Sequence, residues 1–198
     1  MPLLPHKIIL IGASTGGPGV IERLITQLPG NYPHPICIVQ HFPPELTSSF
    51  ASRLQTLTQL RVVESYEGLE PDGGMVIIAR GGEHMGFEQT MARTIAIRQF
   101  APSAGMRNDF IPSVDIMFKS ASETFEGRSI LAVLLTGIGD DGVEGMVRIA
   151  TGGGNTVCQN EESCPVFGMP ARAIARGAAK AVLSPDEIRA AIIKFGAQ

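Results

Sequence analysis

Ser14, His41 and Asp141 are a hydroxyl, an imidazole and a carboxylate, each just beyond an apolar, β-branched run. Ser14 lies in Gly12-Ala13-Ser14-Thr15-Gly16-Gly17, directly after Lys7-Ile8-Ile9-Leu10-Ile11. His41 follows Ile36-Cys37-Ile38-Val39-Gln40, and Asp141 lies in Gly137-Ile138-Gly139-Asp140-Asp141-Gly142, after the run that starts at Ile130. A serine hydroxyl is a weak nucleophile until an imidazole takes its proton, and a carboxylate must hold that ring in the right tautomer. Glycines beside the serine allow positive φ and close backbone approach, so a side chain can stand exposed at the end of a strand. Backbone N–H groups in the second glycine-rich loop would serve as oxyanion donors, each worth roughly 2.7–4 kcal/mol.

Each signal alone is weak. Gly-x-Ser-x-Gly turns occur in many glycine-rich chains, most histidines are structural, and an Asp-Asp-Gly turn commonly caps the helix that follows. The three acquire weight together, because ligands of open α/β sheets gather beyond the carboxyl ends of the strands. The order Ser, His, Asp differs from the Ser, Asp/Glu, His order of α/β-hydrolases and argues against that fold.

Positioning these groups requires a sheet, and the apolar periodicity supplies one. Strands are expected at residues 7–11, 36–40, 61–64, 75–79, 130–136, 155–159 and 181–183, with helices starting near Gly17, Pro44, Val114, Gly142, Met169 and Ser184. Strands alternating with helices imply an α/β fold, a doubly wound and mostly parallel sheet with helices on both faces. Val20, Leu24, Ile25 and Leu28 form the sheet-facing stripe of the first helix. Ser184-Pro185-Asp186-Glu187 combines an N-cap serine, a proline at the first helical position and acidic residues in the first turn. Residues 85–88 and 94–99 flank a polar turn and read as a small antiparallel β-hairpin, followed by a loop over 100–112 long enough to serve the site. No repeat or linker interrupts the 198 residues, which read as a single domain over 1–198.

Composition narrows the function. With 44% hydrophobic and 18% charged residues the chain reads as a soluble globular protein. A net charge of −3 without a basic cluster gives no footprint for nucleic acid. No apolar run approaches the roughly 20 residues of a membrane span, and no signal-peptide core is present, so a cytoplasmic location without direct membrane insertion is expected. Cys37, Cys158 and Cys164 form no CxxC pair and read as reduced, mostly buried thiols. His6 and His34 lie outside the strand ends, and His84 at the hairpin could line the cleft but is expected at the surface. Without paired histidines at ligand spacing no metal site is expected, and no cofactor. A dinucleotide enzyme is the first rival, because Gly12, Gly16 and Gly19 follow a strand. It lacks an acidic residue after the second strand, and Tyr32 and Tyr66 are followed four positions on by Ile36 and Glu70 rather than by a lysine. A non-catalytic interaction module on the same fold is the second rival.

The blocks IGASTGGP at 11–18, QHFPP at 40–44, PSVDIMF at 112–118, LLTGIGDDGVEGM at 134–146 and QNEESCPVFGMP at 159–170 resemble the catalytic domain of the chemotaxis protein-glutamate methylesterases, the CheB family. They span nearly the whole chain in the family's order. The resemblance implies a serine hydrolase that demethylates glutamate methyl esters on methyl-accepting chemoreceptors in bacterial chemotaxis and can deamidate glutamines. It implies no cofactor, and a shallow site for a long helical partner. It places Ser14 as nucleophile, His41 as general base and acid, and Asp141 as the orienting carboxylate, with Asp140 standing where many relatives have asparagine. Thr15 is expected near the histidine and the Ile138 backbone N–H as an oxyanion donor. Relatives usually carry an N-terminal receiver domain that gates the site; Met1 lies a few residues before the first strand, so a catalytic domain without its receiver is expected. Ile111 and Ser48 stand where arginines are common in the family, which bears on substrate choice and leaves open an esterase or amidase acting on a different protein.

Overall fold

The computed structural model describes residues 7–102 and 110–197. Nine strands form in chain order: β1 (Ile8–Ala13), β2 (Ile36–Gln40), β3 (Arg61–Glu64), β4 (Met75–Ile78), β5 (His84–Gln89), β6 (Ile95–Phe100), β7 (Ile130–Leu134), β8 (Asn155–Gln159) and β9 (Ala181–Leu183). The six α-helices are α1 (Gly17–Ile25), α2 (Pro44–Leu57), α3 (Val114–Thr124), α4 (Val143–Thr151), α5 (Met169–Ala175) and α6 (Pro185–Ala197). Seven strands build one parallel sheet in the order β3-β4-β2-β1-β7-β8-β9. β5 and β6 make a separate antiparallel pair. This is the doubly wound sheet with a small hairpin that the apolar periodicity predicts.

Side-chain alternation divides the core into two layers. Ile9, Ile11 and Ala13 of β1 face one side with Ile36 and Ile38 of β2, where they meet Val20, Ile21 and Leu24 of α1, Leu54 of α2 and Ile192 of α6. Ile8 and Leu10 face the other with Cys37 and Val39, against Met117 and Phe118 of α3, Met146 of α4 and Ala173 of α5. The hairpin joins this second layer through Met85, Phe87, Ile95 and Ile97. Each fully buried Ile, Leu or Phe contributes roughly 1.5–3 kcal/mol relative to exposure, so a central strand covered on both faces is strongly fixed in register.

Local chemistry sets the helix starts. Ser113 N-caps α3 by accepting the Ile116 N–H at 3.3 Å. Ahead of α6 the Ser184 N–H donates to the Glu187 carboxylate at 2.8 Å, the return bond of a capping box. Contacts with its own Ser184 amide and hydroxyl hold the Glu187 carboxyl below its ordinary pKa. Gly12 is required where α3 crosses β1, because a Cβ there would lie 2.3 Å from Val114 Cγ1.

The order of strands reverses at β1, since the chain builds outward to β3 on one side and to β9 on the other. Pairing continues past the strand ends on both flanks: His41 N donates to Ala13 O at 3.0 Å and Ser14 N to Thr136 O at 3.0 Å. Ser14 therefore sits between the ends of β2 and β7, at the switch point where doubly wound sheets open a crevice.

Candidate active site

The loop after β7 brings Asp141 to this crevice. Its carboxylate is almost wholly shielded and accepts four hydrogen bonds: Ser113 Oγ at 2.8 Å and Asp115 N at 2.9 Å to Oδ1, Val114 N at 2.7 Å and His41 Nε2 at 2.8 Å to Oδ2. The Val114 and Asp115 donors are first-turn amides of α3, whose dipole also favours a negative charge. Burial on its own would push the Asp141 carboxyl up; the bonds from His41 and from the Asp115 and Val114 amides outweigh it and hold the group below the ordinary carboxylate range. The expectation that the Asp-Asp-Gly turn caps the next helix is corrected. Asp141 caps α3, a helix earlier in the chain, and Asp140 instead faces Arg172 at 3.6 Å in an exposed pair.

His41 projects from the end of β2, its side chain only 10% exposed. One ring nitrogen, Nε2, meets Asp141, and the other, Nδ1, is buried without a hydrogen-bond partner among the described residues. Since a carboxylate only accepts, Nε2 carries a proton and neutral His41 keeps a free lone pair on Nδ1. The ring of Phe110 stacks on the imidazole, centroids 4.3 Å apart and planes 5° from parallel. Phe110 also packs within reach of Gly139, which has φ +90°.

Ser14 is 9% exposed, and its hydroxyl forms no hydrogen bond among the described residues. Its main chain is held from every side. The Ser14 carbonyl accepts from Gly17 N at 2.8 Å and from Gln40 Nε2 at 2.9 Å, while its N–H donates to Thr136 O. Gly137 lets the β7 loop approach: a Cβ there would lie 2.6 Å from Ser14 Cβ and 2.3 Å from Met169 Sδ. On the β7 side, Gln159 Oε1 accepts the Thr136 N–H at 3.0 Å. Two buried glutamines at strand ends, Gln40 and Gln159, thus fix the strands that flank the serine.

The structure brings Ser14, His41 and Asp141 to one edge. Thr15 is exposed and contributes its carbonyl, 2.9 Å from the Thr136 hydroxyl, rather than a side-chain bond to the histidine. Ile138 is 59% exposed, and its N–H has no hydrogen-bond partner among the described residues. His84 corrects the surface expectation. It is 1% exposed, because α3 covers the start of β5, and its Nδ1 accepts the Ser113 N–H at 3.3 Å. Sequence reasoning missed Ser113, Gln40 and Phe110. A serine immediately before the apolar start of α3 is the N-cap signal that marks the first; the ring stacking has no counterpart in local pattern. Ile111 and Ser48 are exposed. Part of the 100–112 loop, residues 103–109, and His6 lie outside the described residues. Among the described residues no cluster of three His, Cys, Asp or Glu is arranged to hold a metal ion, and no helix is long and apolar enough to cross a membrane.

A buried carboxylate, an imidazole with one free lone pair and a hydroxyl on adjacent ends of a parallel sheet have the composition of a nucleophile, a base and its orienting group on a doubly wound α/β fold. The CheB methylesterase family model matches residues 9–192. Among curated proteins the chain is 40% identical over 189 residues to protein-glutamate methylesterase/protein-glutamine glutaminase 2 of Carboxydothermus hydrogenoformans, covering 96% of this chain and 53% of that protein. It is 38% identical over 194 residues to the protein-glutamate methylesterase/protein-glutamine glutaminase of Thermotoga maritima, covering 98% and 55%. The crystal structure of the Thermotoga maritima CheB methylesterase catalytic domain superposes with a TM-score of 0.88 at 37% identity, over 96% of this chain and 98% of that one. The chain belongs to the CheB methylesterase family. It spans about half the length of the curated relatives it matches.

Proposed function

We propose that this chain is a catalytic domain that hydrolyses glutamate methyl esters on the cytoplasmic helical region of methyl-accepting chemoreceptors and deamidates glutamines there. In this reading Ser14 is the nucleophile, His41 the general base and acid, and Asp141 the group that orients and stabilises the imidazolium. The observation that carries it is the His41 Nε2 to Asp141 Oδ2 bond of 2.8 Å, with His41 Nδ1 left unpartnered among the described residues beside the strand end that bears Ser14. Serine proteases turn Nδ1 toward the carboxylate and use Nε2 as the base. Here the two nitrogens exchange roles.

Ser14 Oγ attacks the ester carbonyl carbon as its proton moves to His41 Nδ1, and the oxyanion forms against backbone N–H groups. The unpartnered Ile138 N–H is one proposed donor, with Thr15 as a further contact from the turn after the nucleophile. Collapse breaks the bond to the methoxy oxygen, which takes the proton from His41 and leaves as methanol. Water then attacks the acyl-enzyme, His41 accepts its proton and returns it to Ser14 Oγ, and a glutamate side chain is released. A glutamine follows the same course with ammonia leaving. In the free protein the Ser14 hydroxyl is not yet bonded to His41; catalytic hydrogen bonds commonly tighten only when substrate binds.

The test is methanol release from a chemoreceptor cytoplasmic fragment methylated on its glutamates, alongside covalent labelling of Ser14 by a fluorophosphonate. Release that depends on Ser14 supports the reading. Labelling without release keeps a serine hydrolase and removes the substrate. Neither result leaves a binding module.

A further inference from the structure

We propose that His84 is a positioning residue for the reaction, holding the α3 N-terminus against Asp141 through a neutral imidazole that accepts the Ser113 N–H. This rests on the proposed roles of Ser14, His41 and Asp141. Four groups form a continuous line: His84 Nδ1 accepts Ser113 N at 3.3 Å, Ser113 Oγ donates to Asp141 Oδ1 at 2.8 Å, and Asp141 Oδ2 accepts His41 Nε2 at 2.8 Å. A backbone N–H only donates, so Nδ1 is the unprotonated nitrogen and neutral His84 carries its proton on Nε2. Ser113 is fully buried, and water cannot replace that acceptor.

Protonating His84 would remove the lone pair and set two donors face to face. Burial holds its pKa below the ordinary histidine value, with Asp141 opposing the shift, so the accepting form is the one present at neutral pH. The charged groups on the elements around it are few. Asp115 and Lys119 of α3 pair at 3.4 Å, Glu83 beside β5 meets Gln99, and Arg98 of β6 lies over the Phe100 ring. Among the described residues Asp141 is the charged group that acts on His84. His84 Nε2 is buried without a hydrogen-bond partner among the described residues.

The decisive comparison is His84→Asn with His84→Leu. Asparagine Oδ1 can take the place of Nδ1 as acceptor but does not titrate; leucine removes the acceptor at similar bulk. Fluorophosphonate labelling of Ser14 is followed against pH, with circular dichroism confirming the fold at each pH. His84→Leu should label roughly 10-fold more slowly at neutral pH, the scale of a small misplacement of catalytic groups. His84→Asn should stay near the wild-type rate. On the acid side the wild-type rate should fall more steeply than that of His84→Asn. A second measurement does not need catalysis. In 15N-histidine-labelled protein the His41 proton shared with Asp141 should be visible in wild type and in His84→Asn, and absent or shifted in His84→Leu. Leucine labelling as fast as wild type, asparagine as slow as leucine, or an unchanged His41 proton in His84→Leu overturns the proposal. Wild type that is never labelled overturns the assigned function instead, and the imidazole spectra still decide the role of His84.

Discussion

Replacing Asp141 by asparagine tests the site's electrostatics and the fold together. Each carboxylate oxygen accepts one backbone amide, Val114 N on Oδ2 and Asp115 N on Oδ1. An asparagine side chain has one acceptor face and one donor face, so either orientation sets its NH2 against a buried amide. Leaving one such donor unsatisfied costs about 1–3 kcal/mol. Losing the negative charge at the α3 N-terminus removes about 0.5–1 kcal/mol more. The expected destabilisation is therefore about 1.5–4 kcal/mol, which for a chain of this size lowers Tm by roughly 3–16 °C. Activity should fall by about 10⁴, because the imidazole loses the partner that fixes its tautomer. Urea unfolding measures the first quantity and fluorophosphonate labelling the second. The wild-type contribution should also be pH-dependent. The folded carboxyl lies below its unfolded value, so this stability is complete above about pH 4 and disappears as pH falls through the folded pKa, whereas Asp141→Asn lacks that slope. An Asp141→Asn protein within about 0.5 kcal/mol of wild type would refute the claim that this carboxylate holds α3.

Ser14→Ala should lower kcat for methyl-ester cleavage by roughly 10⁶ with little change in Tm, measured by methanol release and calorimetry. Gly137→Ala should destabilise by about 1–3 kcal/mol and slow Ser14 labelling, since the new Cβ meets Ser14 Cβ at 2.6 Å and Met169 Sδ at 2.3 Å. Phe110→Ala uncovers one face of the His41 ring, and labelling should slow about 10-fold while Phe110→Tyr stays near wild type. For His84, burial lowers the folded pKa, so the unfolded chain takes the proton first. Wild-type stability should decline as pH falls below about 6.5, and His84→Asn should flatten that decline in denaturant titrations.

The strands at 36–40, 61–64, 155–159 and 181–183 have the bounds that their apolar periodicity predicts; 36–40 is clearest, because a fully buried parallel strand leaves an uninterrupted signal, while the edge strands β3 and β9 are only partly buried. The first strand runs to Ala13 rather than ending at Ile11. Pairing with β2 and β7 on both sides carries Gly12 and Ala13 along despite their weak intrinsic preference for strand. At the candidate site, Ser14 and His41 were legible because each ends a strand of its own. The partners of Asp141 other than His41 were not, since two are backbone amides of a helix brought close only by the packed fold. The burial of His84 depends likewise on α3 crossing the hairpin, which no local pattern records.

On the proposed roles Asp141 both orients His41 and holds α3, which bears on how this fold drifts after a gene is duplicated. A copy released from catalysis can exchange its serine or its imidazole at small cost to folding. It cannot as readily discard a carboxylate to which three other groups of the protein donate. Inactive descendants should therefore keep the aspartate long after the chemistry has gone. Sequence surveys that count it as a mark of a working enzyme will overcount, and the hydroxyl and imidazole positions are the ones that tell the living from the retired.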